Sequence, residues 1–145
     1  MIEPVLPADY PEVVEVWEAS VRATHGFLTE ADIQYFKPLI LNEYLHAVEL
    51  SCIKNETGRI LGFMGVHGNG LEMLFIHPDV RGNGIGKHLA RHAIQNLNVQ
   101  KVDVNEQNPE ALGFYQHMGF EVINRSELDG LGKPFPILHL QLAQS

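Results

Sequence analysis

The segment from Leu71 to Leu89, which reads LEMLFIHPDVRGNGIGKHL, constrains the fold of this chain more than any other. In it an apolar strand is followed by a Pro-Asp stop, a glycine-rich loop and a helix that starts near Gly84. Glycine permits close approach of a ligand, because no Cβ stands in front of the backbone amides. Backbone N–H groups and a helix dipole aimed at one spot suit a phosphate. The segment therefore predicts a phosphate-binding turn between a strand and a helix.

Two familiar phosphate-loop patterns do not fit this turn. A P-loop requires glycine at position 81 and serine or threonine at position 88, where this chain has Arg81 and His88. A dinucleotide-binding fingerprint that starts at Gly82 requires a glycine where Lys87 stands. Asp103 lies about 20 residues further on, as that fingerprint demands, but it does not replace the missing third glycine.

A third pattern, Arg/Gln-x-x-Gly-x-Gly/Ala, fits Arg81, Gly84 and Gly86 in full. The charge around it supports an anion at this place, because residues 80–102 contain no Asp or Glu although the whole chain has a formal net charge of -8. The basic side chains of this window are Arg81, Lys87, Arg91 and Lys101. The pattern and the local charge therefore favour the same ligand.

Length and composition limit the class of protein. The 145 residues, 45% of them apolar, suffice for one core, so we expect a single domain over residues 1–145. No apolar run approaches the roughly 20 residues that span a bilayer, and the acidic balance argues against nucleic acid. With Cys52 as its one cysteine, the chain can form no internal disulfide, which favours the cytoplasm. No His, Cys, Asp and Glu spacing resembles a zinc site, so no metal is expected.

Apolar periodicity, capping residues and turn signals predict alternating strands and helices. Strands are expected at residues 2–6, 51–54, 60–67, 71–76, 101–104, 120–124 and 137–142. Helices are expected after a cap at Asp9, after a cap at Thr29 with a break near Pro38, and at residues 84–97 and 109–117. The order β-α-α-β-β-β-α-β-α-β-β indicates an α/β domain with a mixed sheet flanked by helices.

A second informative segment, NEQNPEALGFYQHMGF, follows at residues 105–120. Asn108 is expected to cap its short helix. Phe114 and Met118 lie four residues apart and are expected in the core, whereas Tyr115 lies beside that stripe. From the residues alone, Tyr115 is either a half-buried tyrosine with a bonded hydroxyl or a phenol that faces a cleft.

The two segments together resemble the GNAT superfamily of N-acetyltransferases. The first resembles the family's acyl-CoA pyrophosphate loop, and the second resembles its motif Asn-x-x-Ala-x-x-Phe/Leu-Tyr-x-x-x-Gly-Phe at Asn108, Ala111, Phe114, Tyr115, Gly119 and Phe120. The element order from residue 1 to residue 142 is also similar to that of the family. The resemblance implies the GNAT fold, a central mixed, mostly antiparallel sheet flanked by helices. It also implies direct transfer of acetyl from acetyl-CoA to a primary amine, in a small molecule or at a protein lysine or N-terminus.

The resemblance assigns roles to individual positions. Tyr115 would protonate the departing CoA thiolate, and the strand N–H near Leu74 would stabilise the oxyanion. The side chain of Asn108 would touch the cofactor, and residues 74–76 would pair with pantetheine as an added strand would. The expected cofactor-binding residues are Leu74, Phe75, Ile76, Arg81, Gly82, Asn83, Gly84, Ile85, Gly86, Lys87, Asn108 and Tyr115.

Two carboxylates remain open as the general base. Asp103 lies on the strand after the loop helix, where many relatives have a glutamate. Glu72 lies on the preceding strand, by alternation on the same face as Leu74 and Ile76, and either acts on the amine or points to solvent.

The acceptor side is expected near the end of the first helix. His25 and Phe27 lie in an Ala-Thr-His-x-Phe-Leu segment similar to one in a group of small bacterial GNAT proteins, where this region forms the acceptor wall. The acidic first half of the chain would suit a cationic acceptor. Cys52 lies far in sequence from both motifs, so no covalent acyl-enzyme is expected.

A different class of function stays open at this point. A non-catalytic acyl-CoA-binding sensor would keep the cofactor loop without turnover. The oligomeric state is either monomer or homodimer.

Overall fold

The computed structural model describes residues 2–143, which form seven β-strands and four α-helices in the predicted order. The strands are β1 (Ile2–Pro4), β2 (Glu49–Lys54), β3 (Ile60–His67), β4 (Gly70–Ile76), β5 (Lys101–Asn105), β6 (Phe120–Ser126) and β7 (Ile137–Leu142). The helices are α1 (Tyr10–Thr24), α2 (Glu30–Asn42), α3 (Ile85–Asn96) and α4 (Pro109–His117). None of the helices in the described part of the chain has the length and apolar character that crossing a membrane requires.

All seven strands belong to one sheet with the order β1-β2-β3-β4-β5-β7-β6. Neighbouring strands are antiparallel, apart from the parallel pair β4–β5. The expected mixed, mostly antiparallel sheet is therefore confirmed.

The junction of β4 and β5 determines where a site can form. The two strands pair only at Gly70 with Lys101 and at Leu71 with Val102, so their later residues separate. On the other side of β4, Gly65 pairs with Met73 and Val66 pairs with Leu71, which leaves a bulge at the intervening residue, Glu72. A bulge bends its strand and strengthens the local twist. The sheet thus opens into a cleft in its middle.

Two apolar clusters cover opposite faces of the sheet. The cluster on one face packs α3 and α4 against the strands and includes Leu89, Val102 and Tyr115. The cluster on the other face packs α1 and α2 and includes Trp17 and Phe63. We call these faces the α3 face and the α1 face. Leu138 and Leu140 belong to the α3-face cluster, so the residue between them in β7 points to the α1 face.

The two predicted helix caps have different outcomes. Thr29 caps α2 as expected, since its Oγ1 accepts from the Asp32 N–H at 3.1 Å and its own N–H donates to Asp32 Oδ2 at 3.0 Å. Asp9 is the N-cap residue of α1, as expected, but the expectation that its side chain caps the helix is wrong. The Asp9 carboxylate instead accepts from the Leu6 N–H at 3.0 Å, because a 3₁₀ turn precedes the helix.

The predicted break near Pro38 is also wrong, since α2 continues to Asn42. Proline inside a helix removes one hydrogen bond and costs roughly 3 kcal/mol. The buried side chains of Ile33 and Ile40, on either side of Pro38, pack against the α1-face cluster. Burial of such a side chain contributes about 1.5–3 kcal/mol, so the two together offset the proline.

Candidate active site

A cavity of about 280 Å³ lies in the cleft where β4 and β5 separate. Its walls come from the end of α1, from β4, from β5, from the loop before α3 and from α4. The structure brings ten of the residues predicted from the sequence to this cavity: His25, Glu72, Leu74, Phe75, Ile76, Arg81, Gly86, Asp103, Asn108 and Tyr115. The two sequence segments and the predicted acceptor wall therefore meet in space.

The other predicted residues lie outside the cavity wall. Gly82, Asn83, Gly84, Ile85 and Lys87 occupy the loop and the start of α3, beside the wall residue Gly86. Phe27 contacts the ring of His25, with ring centroids 5.2 Å apart, and is thus one layer behind the wall.

The start of α3 presents unpaired backbone donors. Gly84 is the N-cap with φ +80°, a left-handed conformation that glycine adopts without strain, and no side chain caps this end. The first helical hydrogen bond runs from the His88 N–H to the Gly84 carbonyl at 2.9 Å. The amides of residues 85–87 therefore have no partner within the helix. Together with the positive end of the helix dipole, they suit a phosphate.

Arg81 reaches across the mouth of the cavity to α4. Its Nη2 lies 2.6 Å from Oε2 of Glu110, and both side chains are largely exposed. This ion pair was not foreseen, and it ties the glycine-rich loop to the first turn of α4. A guanidinium at this place can bind a phosphate once it leaves the carboxylate.

Tyr115 is buried at the base of the cleft, with 7% of its surface exposed. Its ring packs edge-on against Phe114 and Phe120, at centroid distances of 5.1 and 5.9 Å. Burial raises the pKa of the Tyr115 phenol, so the hydroxyl keeps its proton at neutral pH. Of the two interpretations open from the sequence, the structure supports the phenol that borders a cleft.

Asn108 joins α4 to the opposite face of the sheet. As predicted it caps α4, with Oδ1 accepting from the Ala111 N–H at 3.2 Å. Its Nδ2 lies 3.4 Å from Nε2 of His25, the C-cap residue directly after α1. His25 Nδ1 is 2.7 Å from the hydroxyl of Thr24, which itself donates to the carbonyl of Ser20 at 2.8 Å.

Asp103 is bound to a second histidine. Its Oδ1 lies 2.7 Å from Nδ1 of His139 in β7, and Nε2 of His139 lies 2.7 Å from the hydroxyl of Ser126 in β6. Asp103 is paired with His139 in the strand register. The hydrogen bonds from Asp103 through His139 to Ser126 therefore link three neighbouring strands on the α1 face.

The expected orientation of Glu72 is wrong. Leu74 and Ile76 pack against the α3-face cluster, whereas Glu72 is exposed and, with Met73, also borders a second cavity beside Tyr44. The cause is the bulge, which interrupts the alternation of side chains along β4. Glu72 still borders the main cavity as well.

Sequence reasoning missed Thr24, Ser126, His139 and Glu110 as neighbours of site residues. A threonine in a helix often donates to the backbone carbonyl four residues earlier, so the bond from Thr24 to Ser20 could have been predicted from the sequence. The other three depend on contacts between residues far apart in the chain, for which no local signal exists.

Cys52 is fully buried, and burial raises the pKa of its thiol to about 11. A thiol in that state is a poor nucleophile, which agrees with the expectation that no acyl-cysteine forms. Between residues 2 and 143, no three His, Cys, Asp or Glu side chains converge to hold a metal ion.

This chain is similar to a family of acetyltransferases and to bacterial peptidyl-lysine N-acetyltransferases. The family described as "Acetyltransferase (GNAT) domain" matches residues 22–133. The chain is 43% identical to peptidyl-lysine N-acetyltransferase YjaB of Salmonella typhimurium over 129 residues, 89% of this chain and 88% of that protein. It is 27% identical to peptidyl-lysine N-acetyltransferase YiaC of Escherichia coli over 146 residues, 100% of this chain and 99% of that protein.

Solved structures show the same fold. Apo-form YjaB from Escherichia coli matches with a TM-score of 0.88 and 38% identity, covering 100% of this chain and 98% of that chain. The PaiA N-acetyltransferase from Thermoplasma acidophilum, solved in complex with coenzyme A, matches with a TM-score of 0.72 and 21% identity, covering 99% and 98%. The expected fold is confirmed, and the enzyme is favoured over the sensor. This chain belongs to the GNAT family and is an N-acetyltransferase that transfers the acetyl group of acetyl-CoA to an amine.

Proposed function

We propose that this enzyme acetylates the ε-amino group of lysine residues in proteins, by direct attack of the amine on the thioester. The carrying observation is the cleft between β4 and β5, which has the buried Tyr115 hydroxyl at its base and proton-accepting side chains on its walls. The name of the relative at 43% identity, a peptidyl-lysine N-acetyltransferase, supports lysine as the acceptor. The acidic first half of the chain would attract a cationic side chain.

The residues present fit acetyl-CoA. The uncapped start of α3, from Gly84 to Lys87, offers amides for the diphosphate, and Arg81 offers a guanidinium on the same side. The edge of β4 from Leu74 to Ile76 has no strand partner on the β5 side, which leaves room for an extended pantetheine. Asn108 borders this edge from α4. Acetyl-CoA supplies the activated acetyl group, and the chain holds and orients it.

The chain must manage two protons during the transfer. A lysine amine has a pKa of about 10.4, so only about one in a few thousand is neutral at pH 7. The leaving thiol is an easier group, with a pKa of about 8.5 by analogy with cysteine. Tyr115 is placed to protonate the thiolate, a contribution of about 10²–10⁴-fold in rate. Three side chains of the cavity wall can accept the proton of the amine: His25, Glu72 and Asp103.

The acceptor is tested by measuring thiol release from acetyl-CoA with matched peptides. One peptide has a free lysine ε-amine and a blocked N-terminus, and a second has a free N-terminus and arginine in place of lysine. A polyamine is the third acceptor. We expect turnover with the lysine peptide, and thiol release with the other acceptors alone would contradict the proposal.

We further propose that residues 1–145 act as one domain, a monomer or a homodimer in the cytoplasm, without nucleic-acid or membrane partners. Support comes from the single sheet that runs through both halves of the described chain and from the net charge of -8. Light scattering measures the assembly state, and binding assays with duplex DNA and anionic vesicles test the two excluded partners.

A further inference from the structure

The imidazole of His25 is held in one tautomer from the α1 side. Thr24 Oγ1 lies 2.8 Å from the carbonyl oxygen of Ser20 and 2.7 Å from Nδ1 of His25. A carbonyl can only accept, so the single hydroxyl proton of Thr24 goes to Ser20. Oγ1 must then accept from His25, which places the ring proton on Nδ1.

The same tautomer is required independently from the α4 side. Because Asn108 Oδ1 accepts from the Ala111 N–H at 3.2 Å, the amide NH₂ is the group that faces His25. That Nδ2 lies 3.4 Å from Nε2 of His25 and can only donate. Nε2 must therefore accept. Two constraints from opposite sides of the ring agree that Nε2 carries the lone pair.

This lone pair is available to a substrate. Nε2 has one lone pair, and its 3.4 Å contact with the Asn108 amide is at the long end for a hydrogen bond, so an amine can displace the amide from it. The ring borders the cavity that Tyr115 and Leu74 also line. Burial lowers the pKa of His25, so the imidazole is neutral at pH 7.

We propose that His25 is the general base of the reaction, accepting on Nε2 the proton of the acceptor amine. This deepens the proposed function and rests on it. As the amine nitrogen bonds to the acetyl carbon, the carbon–sulfur bond breaks. One amine proton passes to His25, and Tyr115 gives its proton to the thiolate. The two side chains recover their starting states when His25 releases a proton to water and Tyr115 regains one, so the products are amide and thiol.

The two carboxylates of the wall are less suited to this step. Asp103 is engaged with His139 at 2.7 Å, and Glu72 lies in the exposed bulge of β4. After protonation, the carbonyl end of α1 next to His25 stabilises the imidazolium.

The pH profile carries the test. The charged and titratable groups around the cavity are Glu72 on β4, Arg81 in the loop, Asp103 on β5, and Glu110 and Tyr115 on α4. For a lysine peptide, the neutral amine fraction makes log(kcat/KM) rise with a slope of about 1 below a pH of about 10. Deprotonation of His25 adds a second slope of about 1 on the acidic side of its pKa, which burial lowers from the ordinary value. The wild-type slope is therefore about 2 in acid and about 1 near neutrality.

The central variant is His25→Gln, whose amide oxygen can still accept from Asn108 but cannot take a proton. We expect kcat to fall about 10²–10⁴-fold and the slope to become about 1 throughout, with unchanged acetyl-CoA affinity by calorimetry.

The matched control is His139→Gln, which removes the imidazole bound to Asp103 and is expected to keep the rate and both slopes. Thr24→Val is expected to lose about tenfold in rate because Nδ1 loses its acceptor, and Thr24→Ser to restore it.

Three outcomes overturn the proposal: a rate retained in His25→Gln, a lost rate with both slopes retained, or equal losses in the two histidine variants. If His25→Gln fails to bind acetyl-CoA, Thr24→Val and Thr24→Ser are compared instead. Equal rates in these two variants overturn the proposal. If wild-type protein acetylates no lysine peptide, the proposed acceptor fails separately. The tautomer is then still tested by two-bond ¹H–¹⁵N spectra of the imidazoles at pH 7, in which a proton on His25 Nε2 contradicts the proposal and one on Nδ1 alone supports it.

Discussion

Two histidines of this enzyme lie in hydrogen-bonded chains near the same cleft, and the chains end differently. In His139 both ring nitrogens have short bonds of 2.7 Å, one to the Asp103 carboxylate and one to the Ser126 hydroxyl. In His25 only Nδ1 has a short bond, also 2.7 Å, to Thr24, while Nε2 faces an amide at 3.4 Å.

The difference teaches which imidazole can take part in chemistry. His139 uses both nitrogens to connect β5, β7 and β6, so it acts as a cross-strand link. His25 is oriented by its neighbours, yet one nitrogen is left for the cavity. Asp103, His139 and Ser126 have the residue types of a hydrolytic triad. His139 and Ser126 are not among the residues of the cavity wall, however, so this arrangement does not face the site.

The largest expected effect concerns Tyr115, because the comparison matters only if the cavity is where the transfer occurs. Tyr115→Phe removes the hydroxyl that we propose as the proton donor and leaves the ring in place, so we expect kcat to fall by about 10²–10⁴-fold. Affinity for acetyl-CoA should persist, since the ring packing against Phe114 and Phe120 is unchanged. Steady-state kinetics and calorimetry measure the two quantities.

A Tyr115→Phe variant with the wild-type rate would break the comparison, because the reaction would then occur away from both His25 and this cavity. Loss of affinity and rate together would indicate damage to the fold of α4 rather than removal of a donor. Circular dichroism of the variant separates these cases.

The next effect concerns the turn before α3, beside the wall residue Gly86. Gly84→Val places a side chain beside the amides of the helix start, and we expect acetyl-CoA to bind about 10- to 100-fold more weakly through the loss of a charged hydrogen bond of about 1.5–3 kcal/mol. Gly58→Val is the matched control. Gly58 has φ +87° and Gly84 has φ +80°, and a Cβ at either position meets nothing within 4 Å.

Calorimetry of these two variants measures the affinity, and urea unfolding measures the strain that they share. Equal affinity of Gly84→Val and Gly58→Val for acetyl-CoA would contradict binding of the cofactor at this turn. At saturating acetyl-CoA, we expect Gly84→Val to keep the acidic slope of the pH profile, because the substitution leaves the contacts of His25 with Thr24 and Asn108 in place.

A smaller effect is expected in the cross-strand link itself. His139→Gln removes both bonds of the ring and Ser126→Ala removes one of them. Because these bonds are partly exposed, we expect each variant to lose about 0–1 kcal/mol in the free energy of unfolding. The double variant should cost no more than His139→Gln by itself, because that change already removes the bond to Ser126. Urea titrations of the single and double variants measure these free energies. A catalytic loss in His139→Gln as large as that in His25→Gln would contradict the different roles of the two histidines.

The sequence predicted the elements well because their signals are local. The residues that bound β3, α4 and β7 were expected as observed, since turns, an Asn108 cap and apolar alternation mark them. The glycine-rich turn before α3 could likewise be predicted from the spacing of Arg81, Gly84 and Gly86. In each case the determining contacts lie within a few residues of one another.

The parts that failed are those that packing decides. The bulge that turned Glu72 out of its expected face arises from the register of β3 against β4. The contact between His25 and Asn108 joins residues 83 positions apart, and no local pattern encodes it. Pro38 was expected to end α2, but buried residues on both sides maintain the helix. The site was therefore predictable as a set of residues, and its hydrogen bonds were not.

The smallest expected effect is on stability in acid, and it follows from the same contrast between the rings. Burial lowers the pKa of His25 in the folded protein, whereas the unfolded chain keeps the ordinary value of about 6.5. Between these two values the unfolded chain binds more protons, so the free energy of unfolding decreases as the pH falls through 6.5 and levels off below the folded-state pKa. His25→Gln should remove this component, while His139→Gln retains it. Urea unfolding at pH 7 and pH 5 measures the difference. If His25→Gln is as acid-sensitive as wild-type protein, the ring of His25 is hydrated in solution and the distinction from His139 is lost.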